Sequence, residues 1–390
     1  MKNEGFPPSL FINPQYGPPG NPERTAEMLP VSKVRVKFVE GGLLLSVFLH
    51  HAVIDGESLG IFLECLAAQT RQGPIGRPLE QKIALAVPKR YKDPGELRAQ
   101  FQRLAAKCPE FTLLPDLSGP TQPRILDVGT PLHEIDRTGK IFVFSNAQLE
   151  ALRRLVTCYA SSASSSPTLP ATCYCALAAL TFAHVTRARA GAERHLPAGR
   201  CSSSMEPPGR TTTATTQLWN SVNWRPRAFQ DATRNYFGNA ALPAVTEVPN
   251  GRLFAACEDD SELARIVPLI KETIDRVDQA YVHRRLAMLA AAPDPRLIGV
   301  RYDPRIPEVL AFNTWRHFGA DAAWHIPGIP VAKPDAIRRA YGSWSMGTAL
   351  ILPARADSTK QELFLSLSVE AMEALCNDER WMRWVDRVVG

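Results

Sequence analysis

The chain has 390 residues, of which 45% are hydrophobic and 22% charged; this ordinary globular composition excludes a disordered or fibrous protein and, at this length, favours two domains. The 45 Lys and Arg residues and the 39 Asp and Glu residues give a net charge of +6. Because the positive charges are spread along the chain, an anionic small molecule is a better candidate ligand than a nucleic acid. The 8 cysteines are irregularly spaced, so we expect reduced thiols in a cytoplasmic protein, without a zinc site, a signal peptide or a membrane span.

The first third of the chain predicts few regular elements. An arm rich in Pro and Gly covers residues 1–30. Alternating apolar residues then predict a β-hairpin with strands at 33–38 and 43–51 and a tight turn at Gly41-Gly42. Apolar residues at helical spacing predict helices over 59–72 and 96–107, the second within a Pro- and Gly-rich stretch typical of a linker.

Strands and helices alternate from there to the C-terminus. We predict, in chain order, strand 141–144, helix 146–157, a serine-rich loop at 161–166, helix 172–189, strand 221–224, helix 263–289, strands 348–352 and 362–368, and helix 369–375. This alternation predicts a mixed α/β protein. The break between its two parts is expected between about residues 110 and 140.

Two adjacent histidines end the second predicted strand, just before an Asp-Gly turn. His51 shares one face of the strand with an apolar row that includes Val47 and Leu49. We expect its imidazole to be largely buried, and burial favours the neutral ring that a general base needs. A packed core histidine is the alternative, and the spacing alone leaves both interpretations open. Asp55 can fold back at Gly56, which permits a sharp turn, to fix the local geometry.

The segment from His50 to Gly56 resembles the HHxxxDG signature of the CoA-dependent acyltransferase superfamily. That superfamily includes the BAHD acyltransferases, the carnitine acyltransferases and the condensation domains of peptide synthetases. Further matches favour the BAHD enzymes: the helix at 172–189, Val222–Arg227 for Asn/Asp-x-Arg-x-Arg, Asn235–Ala240 for Tyr-Phe-Gly-Asn, Thr314-Trp315 for Ser-Trp, and Asp321–Pro327 for Asp-Phe-Gly-Trp-Gly-Lys-Pro. Their order resembles that of fungal acyltransferases of secondary metabolism, such as the trichothecene 3-O-acetyltransferases.

The resemblance implies a fold and a division into domains. The fold is the two-domain α/β architecture of the chloramphenicol acetyltransferase type, with mixed sheets flanked by helices. Residues 1–115 would form the N-terminal subdomain with HHxxxDG, residues 116–140 a crossover linker, and residues 141–390 the C-terminal subdomain. The signature lies much farther from the N-terminus in the family, so we expect the first domain to be truncated. In the Asp321 loop, Ala322, Ala323 and His325 replace Phe, Gly and Gly.

The resemblance also implies an activity and a set of site residues. An acyl group, most simply acetyl, would pass from acyl-CoA as co-substrate to a hydroxyl or amine of a secondary metabolite, with His51 as general base. Asp55 would be structural and pair with Arg225 or Arg227. On an alternating strand these arginines would project to the same side and could instead contact a CoA phosphate. Thr314 is the candidate donor to the oxyanion. Further motif residues are expected to be structural: His50, Gly56, Asn239, Asp321 and Trp324.

Two other interpretations compete with this one. A condensation-type domain, which takes acyl groups from a carrier protein, shares the HHxxxDG signature, but the Asn239 segment and the Asp321 loop count against it. A catalytically inactive scaffold or binding protein would keep the same fold, and the short N-terminal region favours it. Whether the enzyme uses acyl-CoA or a carrier protein, we expect a monomer with no metal, no permanently bound cofactor, and no membrane or nucleic-acid partner.

Overall fold

The structure is a computed structural model that describes residues 31–51, 53–73, 93–113, 135–163, 171–193, 214–228, 236–292, 298–329, 333–339 and 346–390. Its strands are β1 (Ser32–Val39), β2 (Gly42–Leu49), β3 (Phe111–Leu113), β4 (Arg137–Ser145), β5 (Thr215–Asn223), β6 (Ala241–Pro249), β7 (Ile298–Val300), β8 (Val309–Thr314), β9 (Thr348–Ile351), β10 (Lys360–Ser368) and β11 (Arg387–Val389). Its helices are α1 (Gly56–Thr70), α2 (Pro94–Ala105), α3 (Asn146–Ala163), α4 (Cys173–Glu193), α5 (Arg225–Ala228), α6 (Asn250–Ala256), α7 (Asp260–Asp275), α8 (Gln279–Ala290), α9 (Val369–Cys376) and α10 (Glu379–Met382).

A mixed sheet of seven strands organises the C-terminal part of the chain. Its strand order is β11-β4-β10-β9-β8-β5-β6. The pairs β5–β8 and β8–β9 are parallel, and the other neighbours are antiparallel. Helices pack against this sheet and against one another. The predicted mixed α/β class, with mixed sheets flanked by helices, is therefore confirmed.

Helix α4 forms the centre of the main hydrophobic core. Residues 176–180, an Ala- and Leu-rich run, are each at most 1% exposed. A helix that is apolar on all sides must be covered on all sides, and α3, α6, α7 and α9 pack around α4. Phe142, Phe312 and Leu365 reach the same core from the sheet. The small alanines allow these neighbours to pack closely against α4 beneath the sheet.

The hairpin is present, but its second strand is shorter than predicted. Glu40 and Gly41 form the turn, with Gly41 at a φ of +79°, a conformation that suits glycine. Strand β2 ends at Leu49 instead of His51. The other described strands do not pair with β1 or β2. Apolar side chains of the hairpin are exposed, among them Phe38 at 70%.

Two predicted helices have different limits in the structure. The helix predicted over 263–289 is two helices, α7 and α8, because Asp278 caps α8 by accepting a hydrogen bond from the backbone N–H of Tyr281 at 2.7 Å. The helix predicted over 146–157 continues to Ala163 and takes in the start of the serine-rich segment. The rest of that segment, and the arm predicted over residues 1–30, lie outside the described residues.

Elements on both sides of the predicted linker contact each other. Helix α2 packs on α8, and β3 pairs with β7, so residues 94–113 are attached to C-terminal elements. Strand β4 begins at Arg137, inside the range predicted as linker. Among the described helices, none is long and apolar enough to cross a bilayer.

Candidate active site

The turn after β2 carries the two histidines. The backbone N–H of His50 donates to the carbonyl of Val31 at 2.8 Å, and the N–H of Val53 donates to the carbonyl of His50 at 2.9 Å. His51 lies in this turn and is exposed. The expectation of a buried imidazole is therefore wrong, because the strand stops two residues early and the ring leaves the apolar face.

Asp55 caps helix α1 and is buried beneath this turn. It is 5% exposed. Its Oδ1 accepts a hydrogen bond from the backbone N–H of Ser58 at 3.0 Å, and its Oδ2 accepts one from the backbone N–H of Ala240 at 2.7 Å. The first bond satisfies a free N–H at the start of the helix. The second ties the same carboxylate to a segment far along the chain.

Arg225 is the partner of Asp55. Its Nη1 and Nη2 donate to the two carboxylate oxygens at 2.9 and 3.0 Å, and its side chain is 2% exposed. Six acceptors lie between 2.8 and 3.2 Å from the nitrogens of this guanidinium and engage all of its N–H groups: Asp55 Oδ1 and Oδ2, Ser58 Oγ, Asn223 Oδ1, and the carbonyls of Tyr236 and Gly238. A guanidinium has five N–H donors, so none is left for a CoA phosphate. This corrects the expectation that Arg225 contacts the co-substrate.

The charge on Asp55 is stabilised in this arrangement. Burial raises the pKa of a carboxyl group, but the hydrogen bonds from Arg225, Ser58 and Ala240 outweigh that effect and hold the pKa of Asp55 below its ordinary value. Its four hydrogen bonds use the acceptor capacity of the carboxylate. None of these four bonds comes from the His51 ring.

Arg227 faces a different part of the molecule. Its Nη1 donates to the carbonyls of Ile274 and Val277, at 2.6 and 3.4 Å, where helix α7 ends. Arg225 and Arg227 lie in the one-turn helix α5 and not on a strand. Residues two apart on a helix point in nearly opposite directions, about 200° apart, so the expectation that they project to the same side is wrong. Contact between Arg227 and CoA stays a prediction.

The segment 238–240 joins the motif turn to the C-terminal part. Ser58 Oγ donates to the carbonyl of Gly238 and accepts from its N–H, both at 2.9 Å. The side chain of Asn239 is exposed, and its Nδ2 donates to the carbonyl of His51 at 2.9 Å. The backbone N–H of Trp224 donates to the carbonyl of Ala240 at 3.0 Å. The structure thus brings together His51, Asp55, Arg225 and Asn239, which are far apart in sequence.

A second C-terminal segment lies against the other side of α1. A β-carbon placed on Gly56 would lie 2.5 Å from the Phe318 ring, and one placed on Gly60 would lie 3.2 Å from it. The glycines therefore let α1 approach this loop closely. Thr314, at the end of β8, is exposed, and its Oγ1 accepts from the backbone N–H of Arg316 at 3.2 Å. Its role at the oxyanion stays a prediction.

The Asp321 loop is held by its own polar contacts. Asp321 accepts from Lys333 Nζ and from the backbone N–H of Ala356, both at 2.9 Å. The hydrogen bond from Lys333 holds the pKa of Asp321 below its ordinary value. Among the described non-glycine residues only Gln72 has a positive φ. Ala322 and Ala323 therefore replace the family's residues without entering the conformation that favours glycine. Trp324, in the same loop, is partly buried.

Two contact residues of the site carry no sequence signal of their own. Ser58 is fully buried between Arg225 and Gly238, but a serine in the first turn of a helix is common. Phe318 touches Gly56 and Gly60 only because the loop after β8 returns to α1. The position of Asp55 as a helix cap was available from the sequence, since Asp before an apolar helical pattern is a start signal.

A cavity of about 280 Å³ lies between α1 and the loop after β8. Its lining includes Glu64, Arg71 and His317, together with residues 319 and 321–323. His51 is not among the lining residues. A larger cavity of about 480 Å³, lined by Arg187, Asp378 and their neighbours, lies among α4, α9 and α10. Within the described residues no group of three or more His, Cys, Asp and Glu side chains could hold a metal ion.

The mixed sheet, the HHxxxDG turn and its buried arginine together define an acyltransferase-type two-domain fold. Solved structures show the same fold. TRI101 of F. sporotrichioides, complexed with coenzyme A and T-2, has a TM-score of 0.67 at 17% identity, over 98% of this chain and 76% of that one. Vinorine synthase has a TM-score of 0.54 at 20% identity, over 95% of this chain and 71% of that one.

The model of the Transferase family matches residues 20–382. The chain therefore belongs to the Transferase family, and the resemblance to the BAHD acyltransferases is confirmed. Trichothecene 8-O-acetyltransferase of Fusarium sporotrichioides is 24% identical over an alignment of 415 positions, which covers 99% of this chain and 78% of that protein. O-acetyltransferase pyr7 of Aspergillus fumigatus is 23% identical, over 91% of this chain and 67% of that protein.

Proposed function

We propose that the protein transfers an acyl group, most simply acetyl, from acyl-CoA to a hydroxyl or amine of a secondary metabolite, with His51 as general base. The observation that carries this proposal is the exposed ring of His51 on a turn whose base, the Asp55–Arg225 pair, is buried and fully hydrogen-bonded. Family membership supports the reaction type. The names of the relatives, two O-acetyltransferases, support acetyl as the acyl group and a hydroxyl as its acceptor.

The chemistry follows from the imidazole. His51 takes the proton of the acceptor hydroxyl while the hydroxyl oxygen attacks the thioester carbonyl. The tetrahedral intermediate then collapses, the carbon–sulfur bond breaks, and the protonated ring returns the proton to the CoA thiolate. Ester and free CoA are the products, and His51 ends in its starting state. General-base assistance of this kind contributes roughly 10²–10⁴ in rate.

Asp55 and Arg225 serve this step by holding the backbone under the ring. A carboxylate that accepts four hydrogen bonds away from the imidazole cannot take its proton. Thr314 is the proposed donor to the oxyanion, supported by its exposed position at the end of β8. A preformed donor at that point would stabilise the charge that develops on the carbonyl oxygen.

The test is turnover of acetyl-CoA by the purified protein. Acetyl-CoA is supplied with deoxynivalenol, which was crystallised with TRI101 of F. graminearum, and with a panel of simple alcohols and amines. Product mass and CoA release are followed by liquid chromatography and mass spectrometry. We expect His51→Ala to lower turnover by about 10²–10⁴. His325→Ala, which removes another exposed imidazole, is the matched control and should keep full activity.

Absence of turnover with every acceptor, together with no thermal shift on addition of CoA, would refute the enzyme and favour the inactive scaffold. Turnover that survives in His51→Ala would refute His51 as the base. Acyl transfer from a carrier protein but not from acyl-CoA would favour the condensation-type reaction.

Three further properties belong to this proposal. A monomer is expected from the resemblance and can be checked by light scattering after size-exclusion chromatography. A cytoplasmic location is expected from the irregular spacing of the cysteines, which is unlike that of a disulfide framework; the redox state of the thiols in the purified protein tests it. The division into two subdomains with a linker at residues 116–140 stays a prediction, and limited proteolysis should cut first within that range before Arg137, where strand β4 begins.

A further inference from the structure

The backbone of the motif turn is held from several sides. Two of its hydrogen bonds are backbone bonds at the end of the hairpin, and they are donated by the N–H groups of His50 and Val53. Its base is fixed by Asp55, which is bonded to Arg225 and Ala240. None of these contacts reaches the carbonyl of His51.

The contact that does so comes from Asn239. Its Nδ2 donates to the carbonyl of His51 at 2.9 Å across a sequence separation of 188 residues. The flanking residues Gly238 and Ala240 are both buried and bonded to the α1 cap, through Ser58 and Asp55 respectively. The Asn239 side chain thus connects the buried, hydrogen-bonded segment 238–240 to the turn that carries His51.

We propose that Asn239 is a positioning residue for acyl transfer, which acts by fixing the His51 carbonyl and with it the direction of the imidazole. This inference rests on the proposed function, in which the His51 ring meets the acceptor hydroxyl. The carbonyl and the Cα–Cβ bond belong to the same residue, so a hydrogen bond that sets the peptide plane also limits where the ring can point. Displacement of a reacting group by about 1 Å can cost 10²-fold in rate.

The same hydrogen bond is expected to contribute little to folding. Asn239 and His51 are both exposed, so water can replace either partner when the bond is lost. A purely structural role therefore predicts small effects on both stability and turnover. The positioning role predicts a large effect on turnover alone.

The test compares Asn239→Ala, Asn239→Asp and Asn239→Gln in the full chain. With acetyl-CoA and the acceptor that gives turnover, we expect Asn239→Ala to lower kcat about 10- to 100-fold while KM for acetyl-CoA stays within about two-fold. Asn239→Asp keeps the shape but cannot donate when ionised, so its loss should be as large. Asn239→Gln keeps the amide and should recover part of the rate.

Asn146→Ala is the matched control. Asn146 is another exposed asparagine whose Nδ2 donates to a distant carbonyl, that of Ser358, at 2.9 Å. We expect the kcat of Asn146→Ala to equal that of the unmodified protein. Its melting temperature should fall by at least as much as the melting temperature of Asn239→Ala. Equal kcat values for Asn239→Ala and Asn146→Ala would overturn the proposal.

A double-mutant cycle tests whether Asn239 acts through the ring. In the His51→Ala background, Asn239→Ala should change the residual rate by less than about two-fold, since the group it positions is gone. The same fold-loss in both backgrounds would contradict the positioning role.

A measurement without turnover separates this inference from the proposed function. Carbon relaxation of the His51 ring, assigned by its loss in His51→Ala, should show larger ring motion in Asn239→Ala than in Asn146→Ala. Unchanged ring motion would refute the anchoring of His51, whether or not the protein is active. Increased motion in a protein without turnover would keep the anchor and overturn only its catalytic purpose.

Discussion

Replacement of Arg225 by methionine tests the buried pair that supports the motif turn. Arg225→Met keeps the length of the side chain but removes its charge and all its N–H donors. Asp55 then remains 5% exposed with only the N–H groups of Ser58 and Ala240 as partners. The carbonyl of Tyr236 and Asn223 Oδ1 also lose the guanidinium.

The expected loss of unfolding free energy is large because the substitution removes one partner of the ion pair and leaves the other charged. Removal of one partner from a buried ion pair leaves an uncompensated charge, which typically destabilises a protein by about 3–5 kcal/mol. The double variant Asp55→Asn with Arg225→Met removes both charges, so its loss should be smaller than the sum of the two single losses. Arg338→Met is the control, because the Arg338–Glu362 pair is partly exposed at 33% and 23% and such pairs contribute about 0–1 kcal/mol.

The assay is urea denaturation at several pH values. The pKa of Asp55 is lower in the folded protein than in the unfolded chain, where it is about 4. Its stabilising contribution is therefore fully present above about pH 4 and is lost as the pH falls through the folded-state pKa. The difference in unfolding free energy between the unmodified protein and Arg225→Met should be greatest near neutral pH and shrink in acid. A difference below about 1 kcal/mol at neutral pH, or one independent of pH, would show that this reasoning is wrong.

Two further predictions concern packing and a second buried pair. Gly56→Ala should destabilise the protein by about 1–3 kcal/mol and lower turnover, because its β-carbon would lie 2.5 Å from the Phe318 ring. Gly191→Ala, inside α4 with no atom within 4 Å of the new β-carbon, should instead stabilise by about 0.5–1 kcal/mol. A fall in the melting temperature of Gly191→Ala would contradict this statement, and a rise in that of Gly56→Ala would contradict the first. Glu110→Gln leaves the charge of Arg285 without its carboxylate partner at 5% exposure, which should destabilise the protein by about 3–5 kcal/mol. The kcat of the folded fraction should not change. A lower kcat in fully folded protein would show that this pair affects the site.

Local sequence patterns predicted many of the elements. The hairpin, helix α1 and helix α4 follow from the spacing of apolar residues, which acts over a few residues and survives in any tertiary context. Strand β6 was not predicted, because Pro243 and Pro249 interrupt its pattern. The break between α7 and α8 was missed because apolar spacing continues across it, although Asp278 is a helix-start residue.

The choice between Arg225 and Arg227 could not be made from the sequence. Both follow β5, and an alternating strand would place them on one side. The one-turn helix α5 rotates them apart, so that Arg225 meets Asp55 and Arg227 meets the end of α7. Segment 236–240 contacts this turn: the carbonyl of Ala240 accepts from the backbone N–H of Trp224, and the carbonyl of Gly238 accepts from Arg225 Nη2.

The sequence by itself determined the identity of the motif and the mixed α/β class, because both depend on patterns that run locally along the chain. Only the tertiary structure decided that His51 is exposed, that Arg225 is the buried partner and that Asn239 reaches the His51 carbonyl. These facts depend on where β2 stops and on how the 236–240 segment returns to α1, and both are results of packing between distant parts of the chain.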